Sequence, residues 1–129
     1  MLDTNIVSDL VRNPQGTVAR AIAEVGQDQL CTSIIVACEL RYGCAKRGSK
    51  RLTKAVEDIL GEIPVLPFET PADLEYGAIR AELEAEGHPI GANDTLIAAH
   101  ARSIHATMVT ANVAEFQRVR RLTVENWLG

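Results

Sequence analysis

Aromatic residues are scarce: two Phe, two Tyr and one Trp in 129 positions. Base stacking is therefore not expected to dominate any nucleic-acid contact, and Tyr42 and Trp127 are read as core or interface packing. Cysteine is also sparse. Cys31, Cys38 and Cys44 are odd in number and form no Cys-x-x-Cys pair. That excludes a disulfide framework and a typical zinc site, and leaves three buried thiols in a reducing cytoplasm. No apolar run reaches membrane-spanning length, because Arg, Glu, Lys or Gly interrupts each one. Met1-Leu2-Asp3 is no signal peptide, and its abrupt start leaves open a few residues upstream. Excess positive charge is missing too. The net charge is −4, which argues against passive binding of a polyanion.

The remaining composition suits one domain over residues 1–129. It is 47% hydrophobic and 23% charged, with no repeat, linker or low-complexity tract. Short β-like runs at 1–3, 30–32, 64–67, 107–110 and 122–124 alternate with longer helical stretches. The helices are expected over 5–11, 17–25, 34–46, 50–60, 72–86 and 94–103. This alternation implies a parallel sheet covered by helices. Ser33 is a cap for the helix at 34, Pro71 opens a helix after Thr70, and Gly87 and Pro89 close it. Asn93 is the expected cap of the apolar, central helix that begins at Asp94.

Three acids stand out by position. Asp3 ends the first strand, where open α/β sheets bind ligands. Asp94 lies at a helix start, whose dipole favours a carboxylate. Glu39 lies inside the apolar run Ile34-Ile-Val-Ala-Cys-Glu-Leu, where an unpartnered carboxylate is costly. Each has a structural alternative. Asp3 and Asp94 can cap or stabilise helices, and Glu39 can pair with Arg41 on an exposed stripe.

Four segments then carry a resemblance in order and spacing. They are L-D-T-N-I-V-S-D-L, A-C-E-L-R-Y-G, H-P-I-G-A-N-D-T-L-I-A-A-H-A and M-V-T-A-N-V-A-E-F-Q-R-V, followed by R-L-T-V-E-N-W. Together they resemble the PIN-domain ribonucleases, and among them the VapC toxins of type II toxin–antitoxin (VapBC) pairs. The resemblance spans essentially the whole chain. It implies a three-layer α/β domain with a central five-stranded parallel sheet flanked by helices. It places catalytic acids at Asp3, Glu39 and Asp94, with Asp3 and Asp94 holding Mg²⁺ or Mn²⁺. A fourth family acid falls on Asn112, an amide, and Glu115 one turn on is the candidate replacement charge. Asn5 and Thr110 are expected to support the acids.

The implied reaction is hydrolysis of an RNA phosphodiester, in transfer or ribosomal RNA. Oxygen donors without Cys or His suit Mg²⁺ or Mn²⁺ rather than zinc. A metal also answers the charge problem, because crowded carboxylates meet a polyanion only through a cation. Arg41, Lys46, Arg47 and Lys50 are candidates to track the RNA backbone, with a solvated helix face as the alternative. Arg118, Arg120 and Arg121 carry the same ambiguity. His88, His100 and His105 are read as structural or surface residues. The implied partners are a VapB-like antitoxin and a second copy of the chain, in a homodimer and a hetero-oligomer, with DNA bound only through the antitoxin. Two rival readings remain: a PIN fold that binds without catalysing, and a phosphoaspartate phosphatase, which wants an acid where Asn5 stands.

Overall fold

The computed structural model describes residues 1–128. Among them are seven α-helices: α1 (Thr4–Arg12), α2 (Thr17–Val25), α3 (Ile34–Arg47), α4 (Lys50–Glu62), α5 (Ala72–Ala85), α6 (Ala92–Ser103) and α7 (Val113–Phe116). Four strands have two residues each: β1 (Thr32–Ser33), β2 (Val65–Leu66), β3 (Met108–Val109) and β4 (Val124–Glu125). β1 pairs with β2 and β3 with β4, both in parallel. The α/β alternation is as expected, but α7 and a 3-10 turn at Gln27–Gln29 are additions.

The expected five-stranded parallel sheet is seen in part, as two parallel strand pairs joined through Leu2. At 1–3 no strand forms, and Leu2 alone makes isolated parallel bridges, to Thr32 on one side and Val109 on the other. The cause is the next residue. Asp3 Oδ1 accepts the Thr4 N–H at 2.8 Å, so α1 starts at once and the extended run ends. Leu2 still links the two strand pairs. Its N–H donates to Cys31 O, and the Asp3 N–H to Val109 O, each at 2.9 Å. Asp3 and Thr110 are thereby held side by side at the carboxyl ends of neighbouring parallel segments.

Local chemistry explains most helix ends. Ser33 Oγ accepts the Ile35 N–H at 3.0 Å at the start of α3, and Gly48 ends that helix at φ 66°. The last turn of α5 closes at Gly87 (φ 73°), with His88 N–H donating to Leu83 O at 2.9 Å. Asn93 is not the cap of α6. Gly91 takes that place and Asn93 lies within the first turn, exposed. The helix is otherwise central as expected: Ile97, Ala98, Ala99 and Ala101 are wholly buried.

The core gathers Leu2, Ile6, Ile97, Met108 and Phe116, none of which reaches solvent. Burying a side chain of this size contributes about 1.5–3 kcal/mol. Phe116 anchors the short α7, which could not stand alone. Among the described residues, no helix is long and apolar enough to cross a membrane.

Candidate active site

Asp3 is nearly buried and has both oxygens engaged. Oδ1 accepts from Thr4 N–H and Oδ2 accepts the Thr110 hydroxyl at 2.7 Å. Each oxygen keeps a lone pair for a cation. Thr110 also accepts the Asn112 N–H at 2.9 Å, so one buried hydroxyl fixes both the first acid and the turn into α7. The helix-capping alternative for Asp3 is thus also realised. The acid caps α1 and faces the cleft.

Glu39 reaches the same cleft from α3. The buried stripe of that helix is Val36, Ala37, Leu40 and Cys44, and its exposed side carries Cys38, Arg41 and Tyr42. Glu39 sits on the border between them. Its Oε1 accepts the Thr4 hydroxyl at 2.6 Å, and its Oε2 is 3.5 Å from the Asn93 amide. It does not pair with Arg41, which makes a two-point contact with Glu57 at 2.9 and 3.0 Å.

Asp94 lies in the first turn of α6. The Asn112 amide donates to Glu115 at 2.8 Å and approaches Asp94 at 3.4 Å, so it bridges the two acids. Asp3, Glu39, Asp94 and Asn112 line one open cleft of about 370 Å³, together with Ser8 and Arg12. Glu115 does not line the cleft and reaches it through Asn112 and through its contact with the Asp94 carboxyl. Asn5 also lines the cleft, but its side chain accepts the Ala111 N–H at 3.4 Å and makes no hydrogen bond to the acids.

The electrostatics reflect carboxylate crowding. Burial raises the Asp3 carboxyl above its ordinary value. Hydrogen bonds from Thr110 and Thr4 oppose this, and the charges of Glu39 and Glu115 add to it. Asp94 is pushed up to about 7, first by burial, then by a proton shared with Glu115 and by the charges of Asp3, Glu115 and Glu39. The helix dipole was expected to favour its ionised form. Here burial and like charge outweigh the dipole, which is worth only about 0.3–1 kcal/mol. A divalent cation would reverse the imbalance. The donors facing the cleft are oxygens alone, which fits a hard ion. Among the described residues, no three acids, imidazoles or thiols already stand close enough to enclose one. The fit is therefore to an ion that keeps several waters, with Asp3 and Asp94 the candidate ligands.

A family model described as the PIN domain matches residues 1–122. Ribonuclease VapC2 of Haemophilus influenzae is 39% identical over 130 residues, spanning 99% of this chain and 97% of that protein. The chain belongs to the VapC group of PIN-domain ribonucleases. The tRNA(fMet)-specific endonuclease VapC of Shigella flexneri is 38% identical over 98% of this chain and 96% of its own length. Among solved structures, VapBC2 from Rickettsia felis, bound to a DNA fragment from its promoter, superposes with a TM-score of 0.89. It is 35% identical and covers 98% of this chain and 97% of its own. This placement removes the phosphoaspartate reading.

Within this VapC-type fold, several expectations are sorted by geometry. Arg41 has its charge committed to Glu57. Lys46 and Arg47 line a groove beside the cleft, whereas Lys50 lines neither. Arg120 pairs with Glu86, and Arg118 donates to Pro89 O, so that patch ties loops to the body. Cys44 is buried, but Cys38 is exposed and Cys31 intermediate, which corrects the picture of three buried thiols. Tyr42 is 66% exposed rather than core. His100 is structural as read: it is buried, with Nδ1 2.8 Å from Ser33 Oγ and its ring edge-on to Phe68. Sequence reasoning missed Thr4 and Arg12. The signal for Thr4 was a hydroxyl directly after Asp3 at a helix start. Nothing in the sequence singled out Arg12.

Proposed function

We propose that this chain is a Mg²⁺-dependent endoribonuclease, Mn²⁺ substituting, that acts in the cytoplasm as the toxin of a VapBC pair. It hydrolyses a phosphodiester in an exposed loop of transfer or ribosomal RNA. The observation that carries this reading is the meeting of Asp3, Glu39 and Asp94 on one open cleft with no imidazole or thiol in its lining. Initiator transfer RNA is the first substrate to test, because the Shigella flexneri relative is named for it. A VapB-like antitoxin is the expected partner, since the Rickettsia felis neighbour is a VapBC complex. The active form is expected to be a homodimer.

In this mechanism Asp3 and Asp94 would hold the ion, whose chemistry there would be polarisation of a phosphate oxygen and a lowered pKa for a water. Thr4 and Thr110 do the positioning. One hydroxyl orients Glu39 and the other locks Asp3, so both acids are held before substrate arrives. Glu39, free of a basic partner, accepts the proton of the attacking water. Asn112 and Glu115 steady Asp94 through the amide bridge. Water attack with departure of the 3′ oxygen leaves a 5′-phosphate and a 3′-hydroxyl.

The test incubates purified protein with total transfer and ribosomal RNA in EDTA, Mg²⁺ or Mn²⁺ and maps new ends. Cutting in metal alone, with 5′-phosphate ends, is expected, and Asp3→Asn and Asp94→Asn abolish it. Equal cutting in EDTA, or by both variants, would overturn the metal mechanism.

A further inference from the structure

We propose that Arg12, Lys46 and Arg47 form a phosphate track along which a single RNA strand leaves the carboxylate cleft through the groove between α1, α3 and α4. The proposal rests on the RNA-cutting reading above and adds the path that the substrate takes.

The cleft and this groove are continuous. The groove, about 520 Å³, shares Thr4, Ser8, Arg12 and Glu39 with the cleft. Arg12 is the one cation among the described residues lining the cleft. A phosphodiester that approaches three acids and leaves them again must be neutralised at its neighbouring phosphates, and Arg12 stands at that exit. Lys46 and Arg47 continue the positive charge along the groove. Among the described residues the only acid lining it is Glu39, at the edge shared with the cleft.

These three side chains are also free to act. All are exposed, and among the described residues none forms an ion pair. By contrast Arg41, Lys54, Arg80, Arg102 and Arg120 are each held by a carboxylate. Lys46 Nζ lies 5.9 Å from the centre of the Tyr42 ring, which orients the ammonium and leaves its donors open. Arg12 ends α1, and Lys46 and Arg47 occupy the last turn of α3. Complementing those helix dipoles accounts for basic residues there. It does not account for two separate helices delivering them to one groove that opens on the carboxylates. The floor between them is apolar, with Val11, Leu40, Leu52 and Val56. It accepts ribose and base faces, and an amphipathic antitoxin segment would fit it as well. Three cations against one acid favour the polyanion.

Counterion release sets the scale. Each phosphate contact on single-stranded nucleic acid contributes a slope of about 0.7 in log affinity against log salt, which is about 4-fold in affinity at ~0.15 M salt. The experiment uses the full chain carrying Asp94→Asn, which binds without cutting, and a short single-stranded RNA over a salt series. Arg12→Gln, Lys46→Gln and Arg47→Gln are each expected to lose about 4-fold. The triple variant loses about 50-fold, and its slope falls by about 2. Lys54→Gln and Arg80→Gln serve as controls and leave affinity and slope unchanged. A triple variant that melts like its parent yet keeps the parental affinity and slope overturns the track. So does a triple variant that loses a VapB-type peptide but no RNA, which would assign the groove to the antitoxin. If the chain with Asp94 intact cuts no RNA in Mg²⁺, the underlying reading itself fails, and that result is separate from either of the others.

Discussion

Replacing Asp94 with Asn should stabilise the metal-free protein while removing its response to metal. The carboxyl moves from an ordinary 3.8 to about 7 in the folded chain because it is buried among Asp3, Glu39 and Glu115. The folded state therefore binds a proton that the unfolded chain releases. The stability linked to this group is complete below pH 3.8 and is lost as pH rises to about 7. For a group fully shielded from solvent the loss would be ~4 kcal/mol. Asp94 is only half-buried, and screening reduces this to roughly 1–2 kcal/mol. Asn keeps the shape, removes the charge and can donate to Glu115. At pH 7.5 in EDTA, Asp94→Asn is expected to melt about 4–8 °C above the parent. The difference should shrink as pH falls from 7 towards 4, where the parent carries its proton. Mg²⁺ should then raise the midpoint of the parent, by mass action on the folded state, and leave that of the variant nearly unmoved. Thermal unfolding followed by circular dichroism, with and without metal, measures all three. A variant no more stable than its parent at pH 7.5, or one with a difference independent of pH, would refute the crowding argument. An equal gain from Mg²⁺ in both proteins would remove Asp94 from the metal site.

Thr4→Val removes the hydroxyl that Glu39 accepts at 2.6 Å and keeps the β-branched shape. Losing about 1–1.5 kcal/mol of positioning should slow single-turnover RNA cleavage by about 5–10-fold with the melting point nearly unchanged, and an unaffected rate would show that Thr4 does not position Glu39. Arg102 is almost buried, bonded to Glu75 at 2.5 Å and to Arg120 O at 3.0 Å. Arg102→Ala leaves Glu75 without its partner and should cost about 3 kcal/mol in a urea titration, whereas a cost under ~1 kcal/mol would show the pair to be dispensable. Burial lowers the pKa of His100 from the ordinary 6.5, so its contribution is present above 6.5 and is lost as pH falls through the lower folded value. Asp94 acts in the opposite sense over the same range, so the test is made in the Asp94→Asn background, where stability should fall on acidification below 6.5 and adding His100→Gln should flatten that slope. An unchanged slope in the variant would place the acid sensitivity elsewhere.

Much of the frame was legible along the chain because it depends on local chemistry. A hydroxyl at Ser33 and a left-handed glycine at Gly48 bound α3 whatever surrounds it. The apolar run after Asp94 had to become a covered helix. The acids were legible as candidates because an apolar helix does not tolerate a glutamate without cause, and because four motifs kept family order. Pairings between distant residues were not legible, since side chains choose partners by three-dimensional proximity. Arg41 reads as the neighbour of Glu39, yet two steps along a helix turn a side chain by about 200°, and Arg41 meets Glu57 instead. Asn93 reads as a cap, yet Gly91 starts the helix two residues earlier and leaves the amide facing Glu39. Sequence by itself determined the α/β alternation, most helix limits and which carboxylates are the candidates. Tertiary structure alone decided that Thr4 and Thr110 hold two of those acids and that the sheet is reduced at Leu2. It also raised Asp94 to about 7, because burial and like-charge repulsion depend on distances through space.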